Sequence, residues 1–138
     1  MTLILSTRNL CNQSGARNLI LKRAIAQNHL YDDEQVLISF SKNCNKDALE
    51  VFAKKGIFSI PVEVNKNSFF SLIYGYIKLF KRVYSRNYGR IILTGYFPVI
   101  FILLLKIFCR RSKFLYDIHG AVEEKIEYPQ TFFLLEYL

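Results

Sequence analysis

The stretch RIILTGYFPVIFILLLKIFCRRSKFLYD, residues 90–117, decides the fold of the chain. Its first five residues have the apolar composition of a buried strand, and residues 113–117 end the stretch as a second strand. Between them, Gly95 and Pro98 indicate a turn, and residues 97–109 predict a mostly buried helix. A strand, a helix and a second strand in this order predict two parallel strands joined by a helical crossover.

The apolar run at residues 91–108 is not favoured as a membrane span. A span needs about 20 apolar residues, and here Gly95, Pro98 and Lys106 interrupt the run.

The same alternation of strands and helices extends on both sides of this stretch. Strands are predicted at residues 3–6, 35–40 and 57–64, and helices at residues 16–29, from Asn45 or Asp47 to Lys55, from Asn67 or Ser68 to Tyr84, and within 122–138. Gly56 suits a helix carboxyl cap, and Pro61 favours an edge strand. We predict one α/β domain over residues 1–138, with a doubly wound, mostly parallel Rossmann-like sheet and helices on both faces.

The composition limits the classes of partner. The chain of 138 residues is 51% hydrophobic and 15% aromatic, which favours a packed domain over disorder. Its net charge of +8 predicts an anionic partner, such as a lipid headgroup, a phosphate-bearing substrate or nucleic acid. No zinc-finger spacing or RNA-binding aromatic motif accompanies the basic residues, so nucleic acid is the least favoured.

The three cysteines are Cys11, Cys44 and Cys109. Their odd number and wide spacing match neither a disulfide framework nor a zinc site, so we predict reduced thiols in a cytosolic protein. The apolar residues 1–6 are too short for a signal peptide and have no basic flank. The expected location is cytoplasmic, with peripheral contact at the inner face of the plasma membrane left open.

Ligands of such sheets bind at the carboxyl ends of the strands, which directs attention to the loops after the first, fourth and fifth strands, residues 7–15, 95–98 and 119–124, and above all to the first and last of them. The loop after the first strand contains Asn12, Ser14 and Gly15 and leads straight into a helix, whose amino terminus favours an anion. A plain strand-to-helix turn explains the same residues equally well. The dinucleotide and ATP phosphate motifs are absent, so no nucleotide cofactor and no metal are expected.

The end of the fifth strand and the start of the loop after it read Tyr116-Asp117-Ile118-His119-Gly120. His119 could accept a proton or hold a substrate hydroxyl near neutral pH, with Asp117 orienting it and Gly120 permitting a tight turn. A histidine with a purely structural hydrogen bond remains an equal alternative. We take His119 as the candidate catalytic residue.

A basic aromatic helix is predicted at residues 69–86. Its cations are Lys78, Lys81, Arg82 and Arg86. This composition suits contact with an anionic lipid surface, and it also suits an ordinary sheet-covering helix with a solvated basic face.

The loop ending Asn12-Gln13-Ser14-Gly15-Ala16-Arg17-Asn18 and the segment Tyr116-Asp117-Ile118-His119-Gly120, followed by Glu123-Glu124, together resemble the acceptor-side domain of family-four GT-B glycosyltransferases. The enzymes of bacterial capsule and exopolysaccharide synthesis are similar. The resemblance covers nearly the whole chain in order of elements.

The resemblance implies a retaining transferase that moves sugar from a nucleotide sugar to a lipid-linked or glycan acceptor. It implies that Ser14 and Gly15 lie in the cleft and that His119 positions sugar hydroxyls or phosphate. It assigns substrate-binding roles to Asn12, Ser14, Gly15, Asp117, Gly120 and Glu123.

The sequence departs from the family at two points. The family often has a second glycine where this chain has Ser14, and the donor-binding domain would lie beyond Leu138. Without that domain most of the leaving-group stabilisation is lost, so we expect a truncated chain that is inactive alone or needs a separate donor-domain chain.

The alternative is a non-catalytic module that binds a membrane surface or a partner. A response-regulator-like domain is less favoured because no acidic cluster follows the first strand.

Overall fold

The computed structural model describes residues 1–11, 15–42, 44, 46–65 and 67–117. Strands and helices alternate along them as predicted. The elements are β1 (Thr2–Ser6), α1 (Gly15–Tyr31), β2 (Gln35–Ser41), α2 (Lys46–Ala53), β3 (Ile57–Glu63), α3 (Phe69–Tyr84), β4 (Arg90–Thr94), α4 (Val99–Phe108) and β5 (Lys113–Asp117). The helix expected within residues 122–138 lies outside the described residues.

The five strands form one parallel sheet in the order β3-β2-β1-β4-β5. The chain moves outward from β1 to β3, then returns past β1 to place β4 on the other side. This reversal defines a topological switch point between β1 and β4. The predicted fold class, an α/β domain with a doubly wound parallel sheet, is confirmed.

Each face of the sheet carries its own core because alternate residues of a strand point to opposite faces. Leu3 and Leu5 of β1 belong to a cluster built with α3 and α4, which we call the large core. Ile4, between them, belongs to a cluster built with α1 and α2, which we call the small core. Helices therefore cover both faces.

Two local signals in the sequence act as predicted. Ser68 caps α3, and its side chain accepts a hydrogen bond from the Ser71 backbone N–H. Gly56 ends the turn after α2 with a φ of 77°, a conformation that glycine adopts without a steric cost. Pro61 lies in β3, which is an edge strand of the described sheet.

The prediction of three reduced thiols is wrong for two of them. Cys11 and Cys44 form a disulfide, whereas Cys109 is free. The reason lies in the register of the sheet. Ser6 pairs with Ser39, an offset of 33 residues, and the two cysteines are also separated by 33 residues, so each lies five residues beyond its paired strand position.

The prediction of a mostly buried α4 is also wrong. Only Phe101 and Leu105 of this helix are buried, while the side of the helix away from the sheet exposes a row of apolar side chains. These exposed residues are Val99, Ile100, Leu103, Leu104, Ile107 and Phe108. Within the described part of the chain, no helix has both the length and the apolar character needed to cross a membrane.

Candidate functional site

The candidate site lies at the carboxyl edge of the sheet, around the switch point between β1 and β4. Ser6 at the end of β1 pairs with Thr94 at the end of β4, and Thr94 pairs with Asp117 at the end of β5. Neighbouring strands are about 4.8 Å apart, so the ends of β1 and β5 lie about 10 Å from each other. The two loops singled out in the sequence therefore start from one edge, separated by a single strand.

Buried hydrogen bonds fix the loops at this edge. The Thr7 backbone N–H donates to the Thr94 carbonyl at 3.3 Å, and the Thr7 hydroxyl accepts from the Tyr96 N–H at 3.0 Å. Thr7 is itself buried. These hydrogen bonds therefore join the segment that leaves β1 to the segment that leaves β4 at this edge of the sheet.

Gly95 turns the chain sharply after β4. Its φ is 99°, in the region that glycine alone adopts readily. Its carbonyl accepts a hydrogen bond from the Tyr116 hydroxyl of β5 at 3.1 Å. The ends of β4 and β5 are therefore joined by a side chain as well as by the sheet.

The loop after β1 is held at its start and in its middle. The Arg8 N–H donates to the Ser6 hydroxyl at 3.2 Å, and the Cys11 N–H donates to the Asn9 side-chain oxygen at 3.0 Å. The disulfide then joins Cys11 to Cys44 beyond β2. Helix α1 begins at Gly15, after this loop.

A cavity of about 240 Å³ lies beside the switch point, on the α1 side of β4 and β5. Its floor is apolar and includes Ile92 and Leu115, whereas Arg23 and Gln27 of α1 line one wall. The Gln27 Oε1 atom is buried and has no hydrogen-bond partner among the described residues. The volume is below the roughly 300–1,000 Å³ of most small-molecule sites, so the cavity suits part of a ligand, such as one ring, rather than a whole nucleotide sugar.

The groups with shifted pKa values lie away from this site. The amino terminus of Met1 holds the pKa of Asp33 below its usual value, and burial raises the pKa of Tyr88 and of the Cys109 thiol. Among the described residues no cluster of three histidine, cysteine or carboxylate side chains could hold a metal ion. The described part of the edge therefore offers hydrogen-bond donors, an arginine and backbone amides, which suit the binding and orientation of a ligand.

The predicted site residues divide into three groups. Asp117 ends β5 at this edge, and Gly15 begins α1 after the loop that leaves β1 from the same edge. Lys78, Lys81 and Arg82 of the predicted basic helix are on α3, and Arg86 lies two residues beyond its end. Lys81, Arg82 and Arg86 are exposed, and the Lys78 ammonium lies 4.5 Å from the centre of the Tyr74 ring. The predicted residues outside the described part of the chain are Asn12, Ser14, His119, Gly120 and Glu123.

Sequence reasoning missed the side chains that build the edge. Thr7 and Tyr116 act through contacts between strands that are distant in the sequence, and no local pattern signals such contacts. Arg23 and Gln27 carried a usable signal, because they follow Ile20 at helical spacing and so share a side of α1.

Comparisons with protein-family models, with curated proteins and with solved structures found no match to this chain.

Proposed function

We propose that the chain is the acceptor-side domain of a retaining GT-B glycosyltransferase of the family-four type. In this proposal the complete enzyme transfers a sugar from a nucleotide sugar to a lipid-linked or glycan acceptor, as in capsular polysaccharide synthesis. The observation that supports it best is the shared carboxyl edge of β1, β4 and β5. Asp117 ends β5 at that edge, and Gly15 begins α1 after the loop that leaves β1 from the same edge.

The chemistry of the edge suits acceptor binding. Backbone N–H groups at the start of α1 favour an anionic group such as a phosphate. Arg23 and Gln27 offer donors and an acceptor beside a cavity of about 240 Å³, which is of a size to take one sugar ring. His119, two residues beyond Asp117, is proposed to position a sugar hydroxyl or phosphate rather than to attack the sugar.

The proposal also places the protein at the cytoplasmic side of a membrane. The disulfide between Cys11 and Cys44 argues against this placement, because disulfides persist mainly in oxidising compartments. The redox state of these two cysteines in the cell is therefore a direct check on the placement.

Binding of an acceptor analogue tests the site. We would titrate the isotope-labelled chain with a short-chain prenyl diphosphate that carries one sugar and follow the backbone amide resonances. Shifts are expected at residues 7–11, 94–96 and 115–117, and His119→Ala should weaken binding. His29→Ala is the matched control, because the only other histidine of the chain lies in the last turn of α1.

An outcome in which both histidine variants bind alike, or in which shifts fall on other parts of the sheet, would contradict the proposed site.

A separate assay tests the reaction. The chain alone should transfer no sugar, and transfer should appear only when a donor-binding domain is supplied. A non-catalytic module would instead tolerate His119→Ala in every functional readout.

A further inference from the structure

The outer surface of α3 and α4 is apolar as well as basic, which is unusual for helices that cover a sheet. On α3 the exposed apolar residues are Phe70, Tyr74, Ile77 and Tyr84, and on α4 they are Val99, Ile100, Leu103, Leu104, Ile107 and Phe108. Phe70 is 82% exposed and Val99 is 73% exposed. We call this set the outer face. Such contiguous exposed patches mark contact sites more often than inert surface.

The two helices pack against each other through aromatic rings. The Phe108 ring of α4 lies 5.5 Å from the Phe80 ring and 5.9 Å from the Tyr84 ring of α3, measured between ring centres. The sides of α3 and α4 that face the sheet consist of other residues, such as Leu79 and Leu105, which are fully buried. The outer face is therefore additional to the apolar surface that the fold uses.

The charge around the outer face has one sign. From Val64 to Tyr116 the chain has ten lysines and arginines and no aspartate or glutamate. The remainder of the chain has nine basic residues and all eleven carboxylates. The net positive charge of the protein thus belongs to the segment 64–116, which contains α3 and α4. Its cations include Lys81 and Arg82 in the last turn of α3, Arg86 just beyond it, and Arg110 and Arg111 after α4.

Apolar side chains and cations on one surface match the boundary of an anionic bilayer. Aliphatic and aromatic side chains enter the region between headgroups and acyl chains, and lysine and arginine extend to the phosphates. A nucleic acid would satisfy the cations but leave the apolar side chains in contact with water. An acidic protein partner would satisfy both only with an apolar surface of its own.

We propose that the outer face is a docking surface for an anionic phospholipid bilayer, with α4 as the element that enters the interface and the cations of α3 and of residues 110–111 as headgroup contacts. The inference is independent of the proposed transferase activity. In this arrangement the α3 and α4 side of the sheet faces the membrane, and the α1 side, which includes Leu30, faces water.

Tryptophan fluorescence tests this arrangement directly, because the chain contains no tryptophan. Three single variants of the full chain would serve as reporters: Leu103→Trp on α4, Tyr74→Trp on α3 and Leu30→Trp on α1. Leu103, Tyr74 and Leu30 are all exposed, so the substitutions leave both cores intact. Circular dichroism and thermal unfolding would verify the fold of each variant.

Each reporter would be mixed with vesicles of phosphatidylcholine and phosphatidylglycerol in equal parts, with and without bromine on the acyl chains. We expect the emission of Leu103→Trp and Tyr74→Trp to shift to the blue and to be quenched by bromine. Leu30→Trp should show neither effect. Vesicles of phosphatidylcholine alone should bind more weakly.

Removing charge tests the second half of the proposal. Lys81→Gln with Arg82→Gln should lower the vesicle partition coefficient roughly tenfold or more, since each cation near an anionic surface contributes about a factor of five. Lys54→Gln with Lys55→Gln, two exposed lysines after α2, is the matched control and should change partitioning by much less.

Three results would overturn the proposal. The first is blue-shifted emission of Leu103→Trp in buffer that vesicles do not change, because the face would then already be covered, either by residues 118–138 or by a second copy of the chain. Residues 118–138 are the strongest competitor, with four glutamates, one lysine and many apolar residues. The second is the absence of a vesicle response in both face reporters, and the third is equal quenching of Leu30→Trp.

Discussion

On the α3 and α4 side of the sheet, the large core has seventeen buried residues among those described, and on the α1 and α2 side the small core has seven. The large core is rich in aromatic rings. Tyr76 contacts the rings of Phe40, Phe97 and Phe101 at centre-to-centre distances of 5.1 to 6.2 Å. Among its described residues the small core has one aromatic side chain, Phe52, and it includes Leu10, which precedes the disulfide-bonded Cys11 in the sequence. The two faces of one sheet are thus packed differently, with aromatic rings on one side and mainly aliphatic side chains on the other.

Truncation of one ring in each core gives the largest expected effect. Phe40→Ala should lower the free energy of unfolding by about 3–5 kcal/mol, because Phe40 is fully buried and its ring packs against Tyr76. Phe52→Ala should cost less, because a smaller cluster has fewer neighbours around the cavity and relaxes into it more easily. Urea unfolding of both variants measures the difference.

Phe58→Ala is the control for these two variants. Phe58 lies on the edge strand β3 and is 61% exposed, so its truncation should change the free energy of unfolding by only about 0.5 kcal/mol. Equal costs for Phe40→Ala and Phe52→Ala would remove the proposed difference between the cores.

The cross-link gives the second largest effect. Replacing Cys11 and Cys44 together by serine should lower the free energy of unfolding by about 2–4 kcal/mol, because the disulfide restricts the unfolded chain over 33 residues. Cys109→Ala should leave the response to reducing agent unchanged. Thermal unfolding with and without dithiothreitol measures both variants.

Thiol counting tests the same assignment without a variant. In the oxidised protein only Cys109 should react with iodoacetamide, and more slowly than glutathione at neutral pH, because burial raises its pKa and lowers the thiolate fraction. Three alkylated cysteines in the native protein without reductant would refute the cross-link.

A single hydroxyl of the large core gives the smallest effect. Tyr76 donates from its hydroxyl to the Tyr96 carbonyl at 2.9 Å, next to the candidate site. Tyr76→Phe should cost about 0.5–1.5 kcal/mol and loosen the loop after β4. Tyr74→Phe is the matched control, since the exposed Tyr74 lies on the outer face. Equal unfolding midpoints for the two variants would show that the hydrogen bond contributes little.

Most of the fold was predictable because its signals are local. Turn residues and apolar runs predict the observed bounds of β4 and β5. Ser68 and Gly56 are residue types that are preferred at helix ends because of the backbone conformation at those positions. The exposed side of α4 was not predictable from periodicity. Nine of its ten residues are apolar, so the sequence contains no contrast between a buried and a solvent-facing side.

The candidate site was predictable only as a location. Loops that follow the strands of a parallel sheet leave from one edge, and this rule predicts that the loops after β1 and β5 start there, as observed for the strand ends Ser6 and Asp117. The disulfide needed one further step. The offset between paired strands equals the cysteine spacing, but that offset depends on the lengths of a loop and a helix that propensity fixes only to within a few residues.

The disulfide also changes how the molecule responds to force. It closes a covalent ring that contains all of α1 and β2, and the two Cα atoms at its junction are 5.4 Å apart. A pull applied at the two ends of the chain passes through that junction and bypasses the ring. The fully stretched oxidised protein should therefore be shorter than the reduced one by roughly 110 Å, the contour length of the enclosed residues.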